Sequence, residues 1–124
     1  DGAYSVKLYR NGSLIQNTTD SSGQSDWVGD VDLIHIGANH AGTDAFVDGQ
    51  IDQVGYWDIE LPSTAVTAIY NGGVMRDLTT QHTNYTQTAN LIGYYQFEGN
   101  ALDSSNTKAH GTLNGTAGFS TSQP

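Results

Sequence analysis

Residues 46–73, FVDGQIDQVGYWDIELPSTAVTAIYNGG, set a strand, a proline-started helix and a glycine stop in immediate succession. Residues 50–57 pattern as a strand. Pro62 presets φ for a first helical turn, and Ala65, Val66 and Ile69 recur at helical spacing. Gly72-Gly73 can take the left-handed backbone that ends a helix. If the strand is regular, Asp52 projects to the same side as Val54 and Tyr56, because side chains alternate with a period of two. An acid facing the way apolar groups face needs a hydrogen-bonding or cationic partner, since burying it bare is costly.

The rest of the chain is patterned as β structure. Val6 and Leu8 alternate with Ser5, Lys7 and Tyr9, and Asn11-Gly12 supplies a two-residue turn that tolerates positive φ. Leu14 and Ile15 then resume the apolar pattern, which predicts a hairpin. Residues 31–36 read as a third strand, 50–57 as a fourth, 91–97 as an aromatic strand and 112–113 as a short one. Polar loops fill 18–29 and 38–44. Residues 76–90 are polar, lack periodicity and read as a connector, and 116–124 form a tail. Fifteen glycines, with turns crowded by Ser, Thr, Asn and Asp, complete an all-β composition with one short α-helix.

At 124 residues the chain is one domain, long enough to bury roughly two thirds of its unfolded surface. It contains no cysteine, so no disulfide framework supports it; this mildly favours a bacterial, viral or cytosolic origin. No run approaches the roughly 20 apolar residues of a membrane span, and the start DGAYSVKLYR has neither a basic leader nor an apolar core, so a soluble chain with no membrane partner is expected. A formal net charge of -9, with four basic residues against thirteen acidic ones, repels phosphate backbones and argues against nucleic acid. Calcium, sugars or other proteins are the better partners.

Three segments, KLYRNGSLIQ, LIHIGAN and residues 46–73, together resemble the second half of a laminin-G-like, concanavalin-A-like jelly-roll domain. The shared phrasing is an Asn-Gly hairpin, an Ile-Gly strand end, a Gly-x-Ile-Asp-x-Val strand and a short helix ending in Tyr-Asn. LIGYYQFEGNALDSSNTKAHGTLNG resembles the opening of the same fold, here placed after its second half. The resemblance implies an antiparallel β-sandwich that is either a fragment or completed by another copy. On this reading residues 1–75 are the C-terminal half of the jelly roll, 76–90 the connector, and 91–115 an opening-type strand and loop on the same sandwich. YNGGVMRDLT leading to LIGYYQFEGN also resembles the C-terminal parts of marine bacteriophage virion proteins, with a bacterial secreted protein as the alternative. A virion-surface or extracellular location and a homo-oligomer are implied.

The resemblance further implies a structural Ca2+ held by Asp52, Glu98 and Asp103. The loop departs from the family's glycine-rich pattern: Ser105-Asn106-Thr107-Lys108-Ala109 removes glycine and brings a cation near the ion. The simpler use of these acids is that Asp52 accepts backbone N–H groups and Asp103 caps a turn.

Trp27 can stack on a sugar face, with Asp26, Asp30, Asn39 and His40 as polar partners around it, or it can plug one end of the sandwich. Trp57 reads as a packing residue. His35, His40, His82 and His110 have no metal-ligand spacing. Asn-x-Ser/Thr sequons begin at Asn11, Asn17, Asn84 and Asn114. Asp30 and Asp32 alternate, but without a third acid in phase they do not make a glycosidase pair. No nucleophile signature is present. A non-catalytic module is therefore expected, structural or decorating, associating with copies or neighbouring structural proteins. The alternative is a lectin-like module that recognises cell-surface glycans through its loop rim.

Overall fold

The computed structural model describes residues 4–20, 33–39 and 42–121. Strands β1 (Tyr4–Arg10) and β2 (Ser13–Asp20) form an antiparallel hairpin. Asn11 and Gly12 both have positive φ, 51° and 72°. That is the turn whose twist matches the flanking strands, and it is why Asn-Gly nucleates the hairpin. A bulge after Leu8 leaves Ile15 unpaired between Leu14 and Gln16.

The hairpin tip rests on α1 (Ser63–Tyr70), the one α-helix among the described residues. A Cβ on Gly12 would come within 2.8 Å of the Tyr70 ring, and the Thr67 hydroxyl donates to the Gly12 carbonyl at 3.0 Å. Glycine is thus required at this position by both its backbone and its neighbour. Lys7 also pairs with Glu60 just before the helix.

The second sheet pairs β3 (Val54–Trp57) with β4 (Leu91–Tyr95), again antiparallel. The aromatic strand therefore lies beside the segment that follows Asp52. A bulge between Tyr56 and Trp57 sets Trp57 opposite Leu91 and leaves Ile92 exposed. Between the two strands, α1 begins after Pro62 and ends where Asn71 turns left-handed, φ 48°. Gly72 follows at φ 68°. The stop is therefore carried first by Asn71, a residue that tolerates this conformation. A 3-10 turn, Gln87–Asn90, leads into β4.

Several expectations are corrected. β3 starts at Val54 rather than at residue 50, because Gln53 takes φ 53° and breaks the pleat. Leu33 to Ile36 are not strand among the described residues; no described strand runs beside them to supply a ladder, and Leu33 and Ile34 are exposed. Thr112 and Leu113 are irregular and exposed. The architecture is β-rich, two small antiparallel sheets with one short helix.

The core lies on the C-terminal side. Leu78, Leu91 and Tyr94 form its centre, with Trp57 and Ile69 packed against them, and Ala65 and Tyr85 are also buried. Leu78 and Tyr85 come from the stretch expected to be a polar connector, which wraps over the second sheet. The indole N–H of Trp57 donates to the Tyr85 phenol oxygen at 3.2 Å, their rings meet edge to face at 6.3 Å, and the Tyr85 hydroxyl donates onward to the Leu78 carbonyl at 2.8 Å. Burial pushes the Tyr85 and Tyr94 phenols above their ordinary pKa. Gly55 makes room for this cluster: a Cβ there would meet the Trp57 ring at 2.6 Å.

Candidate functional site

After Tyr95 the chain reverses through Phe97 and Gly99, both at positive φ. It returns Asp103 and Ser104 to the free edge of β4, where Ser104 N–H donates to the Tyr94 carbonyl at 2.8 Å. Asp103, 2% exposed, becomes the hub of this return. Its Oδ1 accepts the N–H of Tyr94 and of Ser105, each at 2.8 Å. Its Oδ2 accepts the Ser105 hydroxyl and the Ala109 N–H, each at 2.9 Å. The Asp103 N–H donates to Nδ1 of His110 at 3.0 Å, which places the neutral ring's proton on Nε2. Burial acts to raise the Asp103 pKa, but the hydrogen bonds from Tyr94, Ser105 and Ala109 outweigh it and hold the carboxyl below the usual range. The local signature is Asp-x-Ser, in which an aspartate accepts the N–H two residues on.

The three acids proposed to share a calcium are arranged differently from that expectation. Asp52 is half-buried, and its Oδ1 accepts the N–H of Gln53 at 3.0 Å. The left-handed Gln53 that follows removes the regular alternation from which a common face with Val54 and Tyr56 was inferred. Glu98 is exposed on the reversal loop, where its backbone carbonyl accepts from Asn100. A carboxylate offers about four acceptor positions, and four donors already occupy those of Asp103. Among the described residues no group of three or more His, Asp or Glu converges where it could hold a metal ion. As folded, Asp52 and Asp103 accept backbone N–H groups, and the Glu98 side chain is exposed.

Of the proposed glycan-contacting residues, Trp27, Asp26, Asp30 and His40 lie outside the described residues. Asn39 is described and organises its own loop. Its N–H donates to the Asp44 carbonyl at 3.0 Å, and its side-chain oxygen accepts the Thr43 N–H at 3.2 Å.

A feature that the sequence reading did not single out is a cleft of about 420 Å³ alongside α1. Ser63, Thr64 and Thr67 line one wall, Thr83 and Asn84 the other, and Arg76 also lines it. The second wall is the tip of a tight turn in which His82 and Tyr85 exchange both backbone hydrogen bonds at 2.9 Å, with Asn84 at φ 66°. Tyr85 anchors that turn in the core. The hint in the sequence was a lone Leu78 and Tyr85 inside a polar stretch, too sparse to show a period.

No known protein family, curated protein or solved structure matches this chain.

Proposed function

We propose that this domain is a non-catalytic structural or decorating module of an extracellular assembly, associating with copies of itself or with neighbouring structural proteins. One observation carries the reading. All five buried hydrophobic residues among those described lie at or beyond Ala65, while the hairpin of β1 and β2 and residues 46–47 leave apolar side chains exposed. Val6 and Leu8, two apart on one face of β1, are 58% and 53% exposed; Leu14, Ile15 and Val47 are similar, and Phe46 reaches 67%. Scattered exposed apolar residues are ordinary, but a hairpin that exposes Val6, Leu8, Leu14 and Ile15 together supports a covering layer on this reading. Among the described residues each sheet has two strands, and although Asp103 and Ser104 return along β4, ladder edges are left for a partner.

A jelly-roll sandwich completed by the partner layer, and a place on a virion surface, belong to this reading and rest on the laminin-G-like and phage-like motifs. Size-exclusion chromatography with light scattering, over a range of protein concentrations, tests it. Mass above that of one chain, with loss of association in Leu8→Asp, is the expected result. A monomer at every concentration that also fails to bind a hydrophobic dye would remove the support.

A further inference from the structure

The cleft beside α1 differs in charge from the molecule around it. The chain carries thirteen acids and four Lys or Arg, yet the cleft is lined by the hydroxyl and amide side chains of Ser63, Thr64, Thr67, Thr83 and Asn84, by Arg76 and by the apolar Ala68, with no acid among its lining residues. Elsewhere Lys7 is paired with Glu60, and Lys108 donates to the Ser104 carbonyl at 3.2 Å. The carboxylate next in sequence to Arg76, Asp77, is turned to its own loop, accepting from Thr79 N–H at 2.8 Å and from the Thr79 hydroxyl at 2.7 Å.

Arg76 is also held in position. Its Nη2 donates to the Asn71 side-chain oxygen at 2.7 Å, and the Asn71 amide is fixed by donating to the Val74 carbonyl at 3.1 Å. Its Nε is buried with no hydrogen-bond partner among the described residues. Arg76 is thus half-buried, oriented by a neutral acceptor, and among the described residues no carboxylate pairs with it to offset the cost of withdrawing it from water. A guanidinium presents five N–H groups in a rigid fork that matches a carboxylate in two parallel hydrogen bonds. With Nε occluded and one Nη2 proton given to Asn71, the outer edge of the fork is what Arg76 can present to the cleft.

We propose that this cleft binds a small hydroxylated carboxylate, with Arg76 taking the carboxylate and Ser63, Thr64, Thr83 and Asn84 meeting the hydroxyls. The lining decides the ligand class. A lone cation repels divalent metal ions, and one guanidinium in a chain of net charge -9 does not hold a polyphosphate. Hydroxyl and amide groups both donate and accept, which suits a polyol. Both walls are pre-formed: α1 is fixed by packing of Ala65 and Ile69, and the opposite turn by Tyr85. The cleft adjoins the hairpin tip, where Thr67 of its wall donates to the Gly12 carbonyl, but Val6 and Leu8 are not among its lining residues.

Titration of the full chain with gluconate, acetate and sorbitol, followed by backbone amide NMR, tests the proposal. Gluconate is expected to shift the amides of Ser63, Thr64, Thr83 and Asn84 saturably, acetate more weakly at the same residues, and sorbitol not at all. Arg76→Gln should weaken gluconate at least tenfold and Arg76→Lys by less, because the charge remains while the fork is lost. Because Arg76 also supports Asn71, Thr64→Val serves as a second variant that leaves that contact intact, and it should weaken gluconate several-fold while acetate binding stays unchanged. Sorbitol binding as well as gluconate, an unchanged response in folded Arg76→Gln, or no saturable shift with any of the three would overturn the proposal.

Discussion

Oδ1 of Asp103 accepts the backbone N–H of Tyr94 at 2.8 Å, tying the returning loop to the free edge of β4. The same carboxylate takes the N–H groups of Ser105 and Ala109 and the Ser105 hydroxyl. One buried side chain thereby satisfies donors from a strand, a turn and the descending arm of the loop. Without it those N–H groups are buried and unpaired, which is the expensive arrangement.

Asp103→Asn keeps the shape of the side chain but turns two acceptor positions into donors facing donors. The expected loss of stability is about 3 kcal/mol, the order found when hydrogen bonds to a charged acceptor are removed from buried groups. Urea unfolding followed by circular dichroism measures it; a midpoint indistinguishable from the unmodified chain would show that the loop is held by something else.

Acid should act through the same residue. Since the folded pKa of Asp103 lies below its unfolded value, the native state binds fewer protons than the unfolded state in that window. The contribution is complete above the unfolded carboxyl value of about 3.9 and is lost as pH falls through it toward the folded value. Asp77 is lowered as well, chiefly by the Thr79 hydroxyl, and works in the same direction. Thermal melts at successively lower pH should fall below about pH 4, and the fall should be shallower in Asp103→Asn. Equal slopes for the two proteins would remove Asp103 from the acid response.

Tyr85 acts as a relay between Trp57 and the Leu78 carbonyl. Tyr85→Phe preserves the edge-to-face ring contact and removes only the hydroxyl, leaving the indole N–H and a buried carbonyl unpaired. A loss of about 1–3 kcal/mol is expected, together with a changed near-ultraviolet signal from Trp57. If stability holds and that signal is unaltered, the relay carries no net energy.

Chelation is expected to leave the fold alone. Asp103 is saturated by protein donors and Asp52 accepts its neighbour's N–H, so Tm in EDTA should match Tm in excess calcium. A drop of several degrees on chelation would mean that a bound ion stabilises the native state by mass action and that these acids rearrange around it.

The elements readable from the chain are those written in neighbouring residues. Asn11-Gly12 specifies its turn through the φ values these residues tolerate, Pro62 and Asn71 bracket α1 by backbone geometry, and the apolar and aromatic run expected as a strand over residues 91–97 gives β4, which ends at Tyr95 before the left-handed Phe97. Each of these is settled within a few positions of the residue that encodes it. The core contribution of Leu78 and Tyr85 was hidden because burial depends on what lies opposite, and Trp57 meets Tyr85 across 28 positions. For the same reason Asp103 could be recognised as a turn-forming acid, while its bond to Tyr94 and the occupation of its last free lone pairs required the loop to close on β4. Asp52 lost its assigned face to a left-handed Gln53, and no alternation of residue types reveals that twist. Arg76 became a candidate for binding only when folding set it beside α1 and the turn at Thr83 and Asn84, with no ion pair to a carboxylate among the described residues. Local backbone preference is a property of a few linked residues, whereas burial, charge compensation and lone-pair occupancy belong to groups brought together in space.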